Sequence, residues 1–263
     1  SAGEVQVRNY FKIIFMMEGF LMYENLLGEF LGTAVLLIFG CGVVANVLLT
    51  NSKGQNSGWI VITTGWAFAV LLGVYTAIAT GAPQADLNPA VTLAKTMMGV
   101  YSANQAVMTM IAELCGGIVG AIICWLVYLP HWEATEDAGL KLAVFATGPA
   151  IRNTGANLLC EIIATAMLIL MIFAIFHANN GKFPAGVGPY LVAMLIWALG
   201  LSLGGPTGYA LNPARDLGPR IAHAILPIAG KGSSDWGYAM VPVVGPMVGA
   251  VLAFVVGKAV GLF

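Results

Sequence analysis

Leu87-Asn88-Pro89-Ala90 and Leu211-Asn212-Pro213-Ala214 are one four-residue word written twice. Asn is a favoured N-cap, and Pro is favoured at the first helical position. Each copy therefore predicts a helix start, over 88–98 and over 212–225. Neither stretch reaches the roughly 20 apolar residues that a bilayer crossing needs. Both read as short helices that enter a membrane partway. Around them lie longer apolar runs at 26–49, 59–80, 104–128, 154–177, 187–205 and 236–260, which predict six spanning helices. In lipid a backbone must satisfy its own polar groups, so an open-ended segment must be helical.

Composition agrees. Of 263 residues, 59% are hydrophobic and 9% are charged, and the mean hydropathy is +0.87. A soluble domain carries roughly 25% charged residues. Eleven basic and 12 acidic side chains cannot coat a soluble surface of this size. Disorder needs low hydrophobicity and high charge, so it is excluded. A net charge of −1 offers no basic stripe for nucleic acid. The four cysteines (Cys41, Cys115, Cys124, Cys160) fall inside apolar runs and read as small buried hydrophobes rather than disulfide partners. His131, His177 and His223 lack metal-ligand spacing, and no catalytic constellation, cofactor motif or metal site is expected.

The chain also repeats itself. Leu27-Gly28-Glu29 with Thr33-Ala34 matches Cys160-Glu161 with Thr165-Ala166. Gly65-Trp66 precedes the first Asn-Pro-Ala as Ile196-Trp197 precedes the second, and Gly116-x-x-x-Gly120-Ala121 matches Gly245-x-x-x-Gly249-Ala250. Each half thus holds a glutamate helix, a second helix, a half-helix and a small-residue helix. With three spans per half, the halves must run in opposite senses across the membrane, an inverted repeat. We divide the chain into an N-terminal segment (1–23), a first repeat (24–130), a long exterior loop (131–153) and a second repeat (154–263). Residues 1–24 do not read as a signal peptide; 10–23 fits a short interfacial amphipathic helix or a disordered terminus equally. Glycines four apart (Gly28/Gly32, Gly116/Gly120, Gly200/Gly204, Gly245/Gly249) predict close helix packing. In such a repeat two half-helices meet at the midplane with their positive dipole ends facing.

On these residues the sequence resembles the aquaporin (major intrinsic protein) family from about residue 24 to 260. The run Asn212-Pro213-Ala214-Arg215-Asp216 resembles the aquaglyceroporin branch, with Asp216 as its marker. The resemblance implies an all-α membrane protein of six spans and two half-helices, with a pore in every subunit of a homotetramer. It also implies exclusion of protons and cations by the half-helix dipoles, a known feature of aquaporin-type pores. By motif distance the family's aromatic and arginine constriction falls on Trp66, Gly200, Tyr209 and Arg215. Strict water channels carry His at the Gly200 position, so its absence implies a wider gap. The implied function is passive passage of glycerol, related neutral solutes and water. The alternatives are a water-selective pore and, from another class, a proton-coupled transporter. Termini in the cytoplasm and residence in the plasma membrane are also taken from the resemblance, because the charges themselves give no clear orientation.

Glu29 and Glu161 occupy matched positions inside spans, where they can accept backbone N–H groups of the loops before the half-helices. Two acids depart from the family pattern. Asp86 stands where facilitators usually carry His, and Glu113 where they usually carry Gln. The pair is a candidate for sharing a proton, which would make permeability pH-sensitive; the plainer reading is a solvated Asp86 and a Glu113 that bonds loop backbone.

Overall fold

The computed structural model describes residues 2–263. Its helices are α1 (Ala2–Leu48), α2 (Trp59–Ala79), α3 (Pro89–Met97), α4 (Ala103–Val127), α5 (Leu129–Ala134), α6 (Ala138–Phe145), α7 (Thr154–Ile175), α8 (Gly188–Leu203), α9 (Pro213–Ile225) and α10 (Met240–Ala259). No strand occurs among the described residues. Five helices are long and apolar enough to cross a membrane, including Met22–Leu48 of α1; α8 is a shorter apolar helix. Residues 2–23 run into the first span without a break.

The two half-helices start as their sequences dictate. Asn88 Oδ1 accepts the Ala90 N–H at 2.9 Å, and Asn212 Oδ1 accepts those of Ala214 (2.9 Å) and Arg215 (3.1 Å). Pro follows each cap, where its missing N–H costs nothing. The far end of α9 is closed by Lys231, whose Nζ donates to the carbonyls of His223, Ala224 and Leu226 at 2.6–2.7 Å. A cation there satisfies orphan carbonyls and meets the negative dipole end.

Packing follows the repeat. In the first half α1 lies on α2 and α4; in the second, α7 lies on α8 and α10. Each half-helix crosses over, α9 onto α4 and α3 onto α10, and α2 with α8 joins the halves. Glycines set these approaches. A Cβ on Gly116 or Gly120 would strike the α1 carbonyls of Phe30 and Ala34. One on Gly249 would lie 2.6 Å from the Ile162 carbonyl of α7, and one on Gly117 would lie 2.7 Å from the Ala214 carbonyl of α9. Gly120→Val is therefore expected to push α4 off α1. Overpacking of this kind costs ~1–3 kcal/mol. A thermal unfolding scan in detergent should show a melting point lower by about 5 °C or more.

The long connection 131–153 is more ordered than a solvated loop. Asp137 caps α6 through the N–H groups of Gly139 (2.7 Å) and Leu140 (3.2 Å), and the buried Lys141 of that helix donates to the Ala229 carbonyl. Glu133, Glu136 and Asp137 themselves stay exposed.

Candidate functional site

Strain marks where the half-helices begin. Ala85 and Leu87 in the first repeat, and Tyr209 and Leu211 in the second, have φ of 45°, 53°, 36° and 56°. Side-chain-bearing residues rarely adopt this left-handed region, and such residues persist only where surrounding bonds impose them. Those bonds come from two fully buried carboxylates. Glu29 accepts the N–H groups of Asp86 (2.9 Å) and Leu87 (2.8 Å). Glu161 accepts those of Ala210 (2.9 Å) and Leu211 (3.0 Å), plus the Thr207 hydroxyl (2.7 Å).

The two caps also tie the halves together. Asn88 Nδ2 donates to the Leu211 carbonyl at 2.9 Å, and Asn212 Nδ2 donates to the Leu87 carbonyl at 2.7 Å. An amide nitrogen carries two hydrogens. One is spent across the junction and one remains on each Asn, beside a cavity of about 370 Å³ that both residues line. Pro89, Ala90, Pro213 and Ala214 are buried behind this junction as the first helical turns.

The cavity runs from Trp66, Tyr209 and Arg215, past Asn88 and Asn212, to Gln84, Asp86 and Lys95. Its wall between is mostly apolar, with Leu36, Val70, Val74, Val91, Leu168 and Val192 among the lining residues. At the first end the Arg215 guanidinium sits 4.1 Å from the Trp66 ring centroid, and its Nη1 donates to the Phe145 carbonyl at 3.1 Å. A guanidinium has five donors, so most of this fork is unspent on the protein. The buried Tyr209 hydroxyl also has no hydrogen-bond partner.

Gly200 is near this group but does not line the cavity. A Cβ there would lie 2.7 Å from Tyr209 Cζ and 2.9 Å from Thr63 Cγ2. Its missing side chain makes room for the Tyr209 ring, and Trp59 braces both, donating to the Gly200 carbonyl at 3.0 Å and lying edge-on to Tyr209. Asp216 is also off the cavity. It is fully buried, accepts from Thr147 N (2.8 Å) and Oγ1 (2.6 Å), and pairs with Arg220 at 2.8 Å. Arg220 spends its remaining donors on the carbonyls of Thr147, Ser234 and Asp235. This bracket holds the 145–147 stretch whose Phe145 carbonyl positions Arg215. Sequence reasoning missed Arg220, Phe145 and Trp59; only the Asp216–Arg220 spacing of i, i+4 was a visible signal.

At the second end Asp86 is buried rather than solvated, and Glu113 bonds the Thr92 hydroxyl at 2.8 Å. That hydroxyl also lies 3.0 Å from Asp86 Oδ2.

Two facing half-helices, locked at their caps beside a cavity with unspent donors, define a membrane channel. The cavity holds no constellation for covalent chemistry among the described residues. The chain belongs to the major intrinsic protein family, whose model matches residues 16–256. It is 53% identical over 226 residues to a probable glycerol uptake facilitator protein of Thermotoga maritima, covering 86% of this chain and 94% of that one. It is 52% identical over 228 residues to glycerol uptake facilitator protein 3 of Lactiplantibacillus plantarum, covering 87% and 93%. The X-ray structure of the aquaglyceroporin from Plasmodium falciparum superposes with a TM-score of 0.79 at 29% identity, covering 91% of this chain and 96% of that one.

Proposed function

We propose that this chain is a passive channel for glycerol and related small uncharged solutes, which also conducts water and excludes protons and ions. The arrangement of Trp66, Tyr209 and Arg215 carries the reading. A polyol has a carbon edge and a hydroxyl edge. The apolar ring surfaces of Trp66 and Tyr209 that line the cavity take the first, and the free Arg215 donors meet the second. Gly200 acts by letting Tyr209 lie back from the lumen. At the junction a water accepts from both Asn88 and Asn212, so its own hydrogens point outward along the pore and a proton relay is broken. Two helix N-termini and Arg215 give this region a positive potential, which opposes cations. The few polar contacts in an apolar wall keep binding weak enough for release.

The likeness to glycerol uptake facilitators over most of both chains supports the substrate class. A homotetramer in the plasma membrane, with cytoplasmic termini, is the assembly that the family resemblance supports, and on that reading Asp86 and Lys95 face the cytoplasm. Osmotic reswelling of proteoliposomes tests the function. Vesicles shrunk in glycerol are expected to reswell within seconds, whereas those shrunk in sucrose stay shrunken. Water efflux with no glycerol influx would reject the reading.

A further inference from the structure

One cation in the cavity wall is left without a task by this mechanism. Lys95 sits in the last turn of α3, its side chain 14% exposed, and lines the cavity beside Asp86 and Gln84. An ammonium has three donors. One reaches Asp86 Oδ1 and another the Gln84 carbonyl at 3.0 Å. The third has no acceptor among the described residues, and the lumen adjoins it. Asp86 is anchored in turn, its Oδ2 accepting from Thr92 (3.0 Å) and from the Tyr101 hydroxyl (2.9 Å).

Hydrogen counting places a proton nearby. The Thr92 hydroxyl has a single hydrogen, yet it contacts both Asp86 Oδ2 and Glu113 Oε1. It can donate to one carboxyl only. The other contact is attractive only when that carboxyl supplies its own hydrogen. Asp86 already has an ammonium and a phenol. Glu113 is fully buried, has no cation beside it, and its Oε2 bonds nothing. The proton therefore sits on Glu113, which donates to Thr92, which donates to Asp86. The other group facing them is Glu29 of α1, which spends both oxygens on backbone N–H groups. Oxygens of Glu29, Asp86 and Glu113 lie within 4.8 Å of one another. Three carboxyls against one ammonium is a further reason for a bound proton.

We propose that Lys95 is a second solute-contacting donor, on the far side of the Asn88–Asn212 junction from Arg215, and that the proton held between Glu113 and Asp86 through Thr92 sets its state. With one proton in the group, Asp86 is an anion that holds Lys95 to the wall with one N–H turned to passing hydroxyls. A second proton, on Asp86, breaks the ion pair. The ammonium then stands uncompensated in the lumen and impedes flux. Two charged stations flank the junction in this scheme, one of fixed charge and one responsive to pH.

The inference rests on the channel reading above, and stopped-flow permeability of proteoliposomes to glycerol and to water separates the two. Lys95→Met is expected to lower the glycerol-to-water permeability ratio about threefold, the loss of one hydrogen bond, and Lys95→Gln, which exchanges the charged donor for a shorter neutral amide, to lower it less. Wild-type glycerol permeability should be severalfold lower when measured at about pH 4.5 than at about pH 8, as the group gains a second proton. The Lys95 variants should respond little. Asp86→Asn, which mimics the doubly protonated state, should begin at the low value and stay there. Water flux above that of empty vesicles reports a folded pore for each variant. An unchanged or raised ratio in both Lys95 variants, or a flat wild-type profile, overturns the proposal. A wild type that admits water and no glycerol overturns the channel reading instead.

Discussion

Glu161→Ala is expected to eliminate glycerol flux and most of the folded protein. The carboxylate is fully buried and accepts three hydrogen bonds, from Thr207, Ala210 and Leu211 at 2.7–3.0 Å. Its removal leaves three donors with no water to replace it. Hydrogen bonds to a charged group contribute ~1.5–3 kcal/mol each. Three such bonds come to ~4.5–9 kcal/mol before any relaxation, a large part of the ~5–15 kcal/mol that typically separates folded from unfolded states. The stretch it holds includes Tyr209 and Leu211, both at positive φ, so local strain adds to the loss. Glu161→Gln keeps one acceptor but turns amide hydrogens toward backbone N–H groups, and should be nearly as damaging. Glu29→Ala removes two such bonds rather than three and should be milder. The measurements are yield of monodisperse protein from membranes and glycerol permeability per reconstituted chain. Normal yield with normal flux in Glu161→Ala would remove the carboxylate from this role.

The architecture was legible because lipid leaves few choices. Apolar runs had to be helices, and the repeated Leu-Asn-Pro-Ala word carries its own cap and first turn. The predicted starts at 88 and 212 are the N-caps observed. Inside the long connection the reading was coarser. With Glu133 and Glu136 nearby, Asp137 reads as part of a solvated acidic face, although an Asp followed by Ala-Gly-Leu-Lys is also a helix start, and α6 begins there. The segment 10–23 has no strong break signal before Met22, and α1 continues through it. Hydrogen-bond partners far apart in the chain left no trace in spacing. Arg220 reads as one more charge near the end of a half-helix until Thr147, Ser234 and Asp235 surround it. Asp86 reads in its plainer account as solvated; Lys95, Tyr101 and Thr92 bury it from three sides.

Gly200→Ala is the substitution that most sharply separates two accounts of the constriction. If Gly200 simply left open space in the lumen, a methyl there would narrow the pore directly, whatever stands opposite. The geometry points elsewhere. An added Cβ would lie 2.7 Å from Tyr209 Cζ and 2.8 Å from its hydroxyl oxygen, distances that real contacts do not reach. The ring cannot retreat. A Cβ on Gly204 would also strike it at 2.6 Å, and Trp59 lies edge-on at 5.9 Å between centroids, while Thr63 Cγ2, 2.9 Å from the added Cβ, keeps that methyl from moving aside. It can yield only toward the cavity that Arg215 and Trp66 line. Overpacking costs of ~1–3 kcal/mol, applied as a barrier, predict a fall in glycerol permeability of about tenfold or more. Water, being smaller, should lose less, and Gly200→His should push the same change further. Against a Tyr209→Ala background, Gly200→Ala should change the glycerol-to-water ratio little, because the ring it displaces is gone. Residues that act through a shared contact are non-additive in this way, while independent lining positions add. Additive losses across the four proteins would return Gly200 to the lumen wall and leave Tyr209 as its neighbour only.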